Sequence, residues 1–542
     1  MADPRRSGRK ETKAQEEKRQ REEQKAIEKI KASKSFKKRK RHIQAGDSED
    51  EDDIARAIFE HTRAPLPGQM ENCEICSKRF TVTPYSRAGP DGGLVCTPCG
   101  KDLDKNDGGA KKAKARHSNA GKSKRRNAQS KLLDGTYHIG AKTLSTLCIE
   151  TLAKNVDLAH SLGDMPEHLI DKIARLFSKR RMLNPVTLPL FAQPSTERLR
   201  IYDGANLGTK DLIGIFQVAK GLRELKIRNG IQFKDEVMDY LLSRDIRLEH
   251  FYLHGANLLS DGAWGKFLKE RGSSLKSLKV YYTDNHFGDD IIASLEKTCP
   301  NLQRLKVSNN QKVTNAGVKH AGSLKQLKHL SLRLVTETES RAYRHTVLKI
   351  GRNLETLSLR NVPNLDDDVL EALHKECRSL VKLRITDSEK VTDASFVELF
   401  TGWENPPLEF IDFEKCRQRD PVKPRENPNL LGLCSDGFRA LMKHSGSKLR
   451  FLSLHACRHI SAEAFEEVFA PGTTCYPELL ELEVSFCEEV TDFIVGSIFA
   501  TCPNIKEVNV FGCMKVKDVL VPRGKILVGV PNAVGMVIEG SG

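Results

Sequence analysis

Leu354-Glu355-Thr356-Leu357-Ser358-Leu359 is followed 26 residues later by Leu380-Val381-Lys382-Leu383-Arg384-Ile385, and this leucine-x-x-leucine-x-leucine unit decides the fold. Toward the N-terminus it recurs as Leu327/Leu330/Leu332, Leu302/Leu305/Val307, Leu275/Leu278/Val280, Leu248/Phe251/Leu253 and Leu222/Leu225/Ile227. A degenerate copy at Thr196/Leu199/Ile201 precedes them. Toward the C-terminus follow Leu408/Ile411/Phe413, Leu449/Leu452/Leu454, Leu479/Leu482/Val484 and Ile505/Val508/Val510. Successive copies begin 25 to 30 residues apart, except for one step of 41 after Leu408. That period belongs to leucine-rich repeats, in which one short strand and one helix per repeat stack into a continuous core. Residues 195–542 are therefore read as an α/β leucine-rich-repeat horseshoe of about 11–12 repeats. Such a horseshoe is usually a binding surface rather than a catalyst.

Cysteine positions support the same reading. Cys416, Cys457, Cys487 and Cys513 each stand three residues after the last strand anchor, where these repeats use Asn or Cys to satisfy turn backbone. Cys299, Cys377, Cys475 and Cys502 fall where a convex helix closes. These eight read as reduced, buried structural thiols, which points to cytosol or nucleus. No apolar run of about 18 residues offers a membrane span, and the charged first twenty residues lack the apolar core of a secretory signal.

The net charge of +16 is uneven: residues 1–131 hold 33 Lys+Arg against 20 Asp+Glu, whereas the rest holds 55 against 52. The N-terminal quarter is thus where contact with polyanions is most plausible. Residues 1–69 alternate charge blocks without a core-forming pattern and are expected to be disordered. Within them Lys37-Lys38-Arg39-Lys40-Arg41 reads as a nuclear import signal, against the plainer alternative of a solvated charge run. The acidic run Asp47 to Asp53 follows, with Ser48 as a plausible site for an acidophilic kinase. Residues 104–135 read as a basic linker, and residues 136–194 as a helical segment leading into the repeats.

Between leader and linker, residues 70–103 carry Cys73-x2-Cys76 and Cys96-x2-Cys99, separated by 19 residues. That is the spacing of a four-thiolate structural zinc site, whose metal supplies the folding energy so short a segment lacks. A redox pair is the alternative, disfavoured because two pairs occur together. With all four positions taken by thiolates, no open position remains for a reactive water. Lys78, Arg79, Phe80 and Tyr85 lie between the pairs. The cations could contact phosphates and the rings stack on bases, or the rings could be the mini-core of the module.

Thr143-Leu144-Ser145-Thr146-Leu147-Cys148-Ile149-Glu150-Thr151-Leu152 fits the elongin-C-binding box, [Thr/Ser]-Leu-x3-Cys-x3-apolar. On a helix Leu144, Cys148 and Leu152 stack at i, i+4 and i+8, a narrow stripe suited to a partner's groove. The helix could equally cap the open end of the horseshoe, or do both. Met165-Pro166-Glu167-His168-Leu169-Ile170-Asp171-Lys172-Ile173 lies where such proteins place a cullin-contacting segment, and it also resembles the opening of an F-box.

Strand side chains alternate, so the residue between the last two anchors faces the concave surface. In order these are Arg200, Lys226, Tyr252, Lys279, Lys306, Ser331, Ser358, Arg384, Asp412, Ser453, Glu483 and Asn509. Just beyond the last anchor the early repeats carry Arg228 and Tyr281. The first two-thirds is basic with interleaved tyrosines and suits nucleic acid or an acidic protein segment, while the last third turns acidic. An ordinary solvated face is the plainer alternative. The 41-residue step contains Arg417 to Pro428, an inserted loop at the edge of the horseshoe and a candidate docking site. Neither a phosphate-binding Gly-x4-Gly-Lys-[Ser/Thr] loop nor His-Glu-x-x-His nor Gly-x-Ser-x-Gly is present, so no intrinsic enzymatic activity is expected.

Cys73-Glu-Ile-Cys76-Ser-Lys-Arg79-Phe80-Thr-Val-Thr-Pro-Tyr85, with Leu94-Val-Cys96-Thr-Pro-Cys99, resembles the zinc module of the fungal Rad-seven family. That family is the leucine-rich-repeat subunit of global-genome nucleotide excision repair. Its order of parts is the same: basic leader, four-cysteine module, elongin-C-type box, cysteine-containing repeats. The resemblance implies one structural zinc on Cys73, Cys76, Cys96 and Cys99, and a box on Thr143, Leu144, Cys148 and Leu152. It also implies a complex with a SWI/SNF-type ATPase that carries a RING finger, binding to damaged DNA in chromatin, and a ubiquitin ligase with elongin C and a cullin. The rival is an SCF-type substrate receptor in which residues 162–191 act as an F-box and no DNA is bound. The zinc module and basic leader weigh against it.

Overall fold

The computed structural model describes residues 70–82, 86, 89, 93–100, 143–159, 161–418, 423, 426–530, 533 and 536–540. The import cluster at residues 37–41, the linker at 104–135 and Tyr85 lie outside the described residues. The chain divides into two compact units, Met1–Ala141 and Lys142–Gly542. In the first, strands β1 (Met70–Asn72) and β2 (Arg79–Thr81) form an antiparallel hairpin around the first cysteine pair.

The second unit is built on one sheet of 14 strands, β3 (Arg198–Ile201) through β14 (Glu507–Asn509) with two more beyond. From β3 to β14 neighbours pair in parallel, and the middle anchors align in one ladder: Leu199, Leu225, Phe251, Leu278, Leu305, Leu330, Leu357, Leu383, Ile411, Leu452, Leu482 and Val508. Each of these is at most 2 % exposed. Parallel strands need a crossover, and here each crossover carries a helix such as Thr209–Val218, Asp289–Thr298 or Asp492–Thr501, whose apolar face closes the core from the convex side. The degenerate copy at Thr196/Leu199/Ile201 is a true first repeat, since β3 pairs in full register with β4 (Glu224–Ile227).

Past most strands the chain turns through a left-handed residue: Asn229, Gly255, Tyr282, Asn309, Asn361, Asp387, Lys415, Ala456, Phe486 and Gly512, with φ between 53 and 76°. Asn, Asp and Gly tolerate this conformation, whereas Tyr282, Lys415 and Phe486 adopt it against their preference. The turn is held because its N–H reaches the next repeat: Tyr282 donates to the Ser308 carbonyl at 2.9 Å, Lys415 to His455 at 2.8 Å and Phe486 to Phe511 at 2.7 Å. One residue on, the cysteine positions complete the turn. The thiol of Cys416 donates to the Ile385 carbonyl, Cys457 to Phe413, Cys487 to Leu454 and Cys513 to Val484, all at 3.1–3.2 Å. All four are free and buried, and burial pushes Cys457 and Cys513 up to about 12. In an earlier repeat Asn310 does the same work, donating to Thr283, His286 and Phe287.

A second ladder runs along the helix N-termini and was not anticipated. The polar residue opening one helix accepts from, or donates to, the capping backbone of the next. Asp235 accepts from Ser260 N at 2.8 Å, Asp261 from Phe287 N at 2.7 Å, Asp289 from Thr314 N at 2.8 Å and Asp367 from Thr392 N at 2.7 Å. Asp393 alone spans the long step, accepting from Cys434 at 2.7 Å, Gly437 at 3.1 Å and Asp436 at 3.2 Å. These bonds satisfy N–H groups that no helix can satisfy for itself. Asp393→Ala leaves three such donors without an acceptor, two of them buried bonds, so a loss of about 2–3 kcal/mol is expected in denaturant titration. A change under about 0.5 kcal/mol would contradict this role.

The long step after β11 (Phe410–Asp412) folds back on the repeats through isolated antiparallel bridges, Thr392 with Leu431 and Arg417 with Gly432. Gly432 has φ +84° and its missing Cβ would meet the Cys416 carbonyl oxygen at 2.2 Å, so only glycine fits. Residues 419–422 and 424–425 of the insertion lie outside the described residues. At the C-terminal end β15 (Ile526–Val528) adds to β14 in parallel and β16 (Val537–Glu539) closes it antiparallel. At the N-terminal end lie helices α1 (Leu144–Lys154) and α2 (Glu167–Lys179). Ile173, Ala174 and Phe177 of α2 are buried in the repeat core, with Phe177 edge-on to Phe191 at 5.5 Å.

Candidate functional site

The four cysteines of the first unit converge. Their Sγ atoms all lie within 4.8 Å of one another, and Cys76 Sγ is 3.6 Å from Cys96 Sγ. A tetrahedral zinc with Zn–S near 2.3 Å requires sulfurs about 3.8 Å apart, so the set fits that ion. The hairpin turn makes the first pair: Cys73 N–H donates to the Lys78 carbonyl at 2.8 Å, Ser77 N–H to the Cys73 carbonyl at 2.9 Å, and Ser77 takes φ 61°. The second pair sits at the start of the helical turn 97–100. Burial works to raise the Cys73 thiol, and backbone N–H groups of Cys76, Cys96 and Ile75 outweigh it, bringing it down to about 6. Burial and the neighbouring thiols push Cys99 up. Four thiols this close compete for negative charge, and a dication removes the conflict. Phe80 packs against the cluster of Cys73, Val95 and Cys96, the mini-core position, while Lys78 is exposed beside it.

Helix α1 shows two faces. Thr143, first residue of the box, is its N-cap, accepting from Thr146 N–H at 3.3 Å. Leu144 is 77 % exposed and Leu147 46 % exposed; Cys148 and Thr151 are exposed on the same side. The other side carries Ile149, Leu152 and Ala153 onto the repeat core, joined by Val156 just past the helix end. Leu152, expected to share a stripe with Leu144 and Cys148, instead packs half-buried against the repeat core. The helix therefore caps the horseshoe and presents an apolar stripe at once.

On the concave face the register places the expected residues in one column, each the direct partner of the next from Arg200 through Asn509. Their environments differ. Arg200 is held by Glu224 at 2.7 and 3.1 Å and lies 3.6 Å from both Glu167 and Asp171, so it ties α2 to the sheet. Burial works to raise Asp171, and the Tyr202 hydroxyl with Arg175 and Arg200 outweighs it, leaving the carboxyl below its ordinary value. Lys226 stands over the Tyr202 and Tyr252 rings at 4.7 and 5.3 Å, and Lys306 over Tyr281 at 5.0 Å. Tyr252 and Tyr281 are only 5 % and 1 % exposed and stack edge-on at 4.9 Å, so they support the lysines rather than offer rings to a ligand. Arg228 is half-buried at the strand end.

Position-by-position reading missed a parallel column one residue before the middle anchor: Glu224, His250, Ser277, Arg304 and His329, which the alternation of strand side chains puts on the same face. With Lys226, Lys279 and Lys276 they line a depression of about 310 Å³. The basic stretch ends at the buried pair Arg384–Asp412, 2.8 Å apart. Beyond it Glu414 lies 3.3 Å from Lys415 and 3.7 Å from His455, and Glu483 accepts from Ser485 N–H at 3.0 Å and Asn509 at 2.6 Å.

Burial, opposed by those hydrogen bonds and aided by Glu507, pushes Glu483 up to about 7 from an ordinary 4.5. The folded chain thus holds a proton that the unfolded chain has already lost between those values. The associated stability is present at the acid end and is lost as pH rises through about 7. Glu483→Gln is expected to melt higher than the natural chain at pH 8, by about 1–2 kcal/mol in stability, and to match it near pH 4. Equal melting differences at both pH values would refute the assignment.

These features define a leucine-rich-repeat protein with a small structural zinc domain ahead of its horseshoe. Residues 67–105 match the family model described as the DNA repair protein rhp7 treble clef domain. The chain is 27% identical to the DNA repair protein rhp7 of Schizosaccharomyces pombe, over 87% of this chain and 80% of that one. It is 23% identical to the DNA repair protein RAD7 of Saccharomyces cerevisiae, over 71% and 70%. A crystal structure of the Rad7 and Elc1 complex in yeast shares the fold, with a TM-score of 0.58 and 21% identity over 72% of this chain and 98% of that chain. The chain is thus similar to the Rad7 and rhp7 repair proteins over most of its length, and its four cysteines hold one structural zinc. Among the described residues no helix is long and apolar enough to cross a membrane.

Proposed function

We propose that this chain is a non-catalytic nuclear scaffold of a nucleotide-excision-repair complex and the substrate-binding subunit of a cullin–elongin C ubiquitin ligase. The observation that carries the reading is α1: one side packs on the repeats through Ile149, Leu152 and Ala153, yet the opposite side leaves Leu144, Leu147 and Cys148 to solvent. Exposed leucines on a packed helix are costly unless a partner covers them. A related solved chain is described in complex with Elc1, which supports an elongin C partnership here. The names of the relatives support a repair role. The zinc domain and the basic arms are assigned to damaged DNA in chromatin and to a SWI/SNF-type ATPase with a RING finger, as the family resemblance implies. The closed four-thiolate site leaves the metal a structural task.

The F-box reading is weakened by α2. Ile173, Ala174 and Phe177, the apolar side that an adaptor would need, are already buried in the repeat core. The test is size-exclusion chromatography with light scattering on the full chain mixed with elongin C. An equimolar complex is expected; separate elution would overturn the proposal.

A further inference from the structure

We propose that the basic depression on the N-terminal half of the concave face receives an extended acidic segment of a protein partner. Its carboxylates would meet Arg304, Lys279 and Lys226. This goes beyond the elongin C reading, which concerns α1 alone.

Three observations converge on the depression. First, its lining is cationic: Lys226, Lys279 and Arg304 surround about 310 Å³ together with Lys276, which is paired with Glu249 at 2.6 Å, and the one carboxylate of the lining, Glu224, is bound by Arg200 at 2.7 Å. Second, Arg304 is exposed, and its guanidinium makes no hydrogen bond or ion pair with the described residues. The carboxylate nearest in influence, Glu355, is bound to Lys328 at 2.9 Å. Third, burial, aided by Arg304 and opposed by Glu355, brings His329 down to about 4, so its imidazole adds no competing charge beside these cations. Lys226 and Lys306 are propped over tyrosine rings, which holds their ammonium groups in place at little conformational cost.

The geometry favours a protein segment over nucleic acid. Bases are bound on single strands by aromatic faces, and the tyrosines here are buried and already engaged by lysines and by each other. A long polyanion would also run on into Asp412, Glu414 and Glu483. A short segment avoids this. Strands lie about 4.8 Å apart, so the cations from β4 to β7 (Arg304–Asn310) span about 15 Å. An extended peptide puts same-side chains roughly 6.8 Å apart, so two or three Asp or Glu cover that width.

The test uses the full chain and a fluorescent polyglutamate peptide of about ten residues, read by anisotropy. Lys279→Glu with Arg304→Glu is compared with Lys319→Glu and Lys443→Glu, an equal charge change on exposed convex helices. The first pair should weaken peptide binding by about tenfold or more, and the second by less than about twofold. Lys279→Gln with Arg304→Gln, with an unchanged melting midpoint, should show a smaller loss in the same direction and so excludes misfolding. Equal losses from the two charge reversals overturn the proposal, because the peptide would then be reading net charge alone. So does a single-stranded oligonucleotide that loses as much affinity as the peptide, because the site would then be a nucleic-acid site.

Discussion

Leu144→Asp combined with Cys148→Asp should abolish the elongin C complex while leaving the chain folded. The two side chains are exposed on α1, and the helix is anchored by Ile149, Leu152 and Ala153 on its far side, so the substitutions leave the core intact. Burying a leucine in a partner's groove contributes about 1.5–3 kcal/mol. Placing a carboxylate there adds a desolvation cost of similar size or greater. Together the two changes should weaken binding by a thousandfold or more, on the order of 4 kcal/mol. Thr143→Ala tests the helix itself: losing the cap should cost about 1 kcal/mol of local stability and only a few-fold in affinity. Undiminished co-elution of the double variant would remove α1 from the interface. Loss of binding together with a lowered melting midpoint of the repeats would make the helix a cap alone.

Cys73→Ser with Cys76→Ser should release the zinc and unfold the first unit, with the horseshoe untouched. The module's core is Cys73, Val95 and Cys96 with Phe80 against them, too little apolar surface to fold alone. Zinc binding in comparable small domains supplies about 10–16 kcal/mol of apparent free energy. Metal analysis should fall from one zinc per chain to none, and proteolysis should open residues 70–100, whereas the cooperative melting of the repeats should stay within a degree or two. The repeat core draws on its own residues throughout, from Leu199 to Leu527. A drop in repeat melting comparable to that of a core variant would refute the division into two units.

The horseshoe was legible because its period and its side-chain alternation are both carried by apolar residues that the core cannot replace. Leu383 names its own strand, its partner Leu357 and the direction of Arg384. The cysteine turns were equally legible, since Cys457 and Cys487 fall at a fixed offset from an anchor and bond the carbonyls that offset predicts. The closing strand β15 escaped notice for a physical reason: its crossover from β14 contains no helix, so its anchor Leu527 comes only 19 residues after Val508 and breaks the period. The capping ladder of Asp235, Asp261, Asp289, Asp367 and Asp393 was missed because each residue alone looks like an ordinary first-turn acid. Only alignment of the repeats shows that each serves its neighbour's helix. On the concave face the column of positions was right, but occupancy was not readable. That Arg200 is committed to Glu224 and that Tyr281 is buried follow from packing across repeats. Arg304, one residue before the middle anchor, was available from the same alternation and was overlooked.

The most direct measurement is affinity purification of the full chain from native nuclei after nuclease treatment, with the bound chains identified, alongside the Leu144→Asp, Cys148→Asp variant. Elongin C, a cullin and a SWI/SNF-type ATPase are expected with the natural chain, and the ATPase alone with the variant. Recovery of an F-box adaptor with no ATPase and no elongin C would contradict the proposed function.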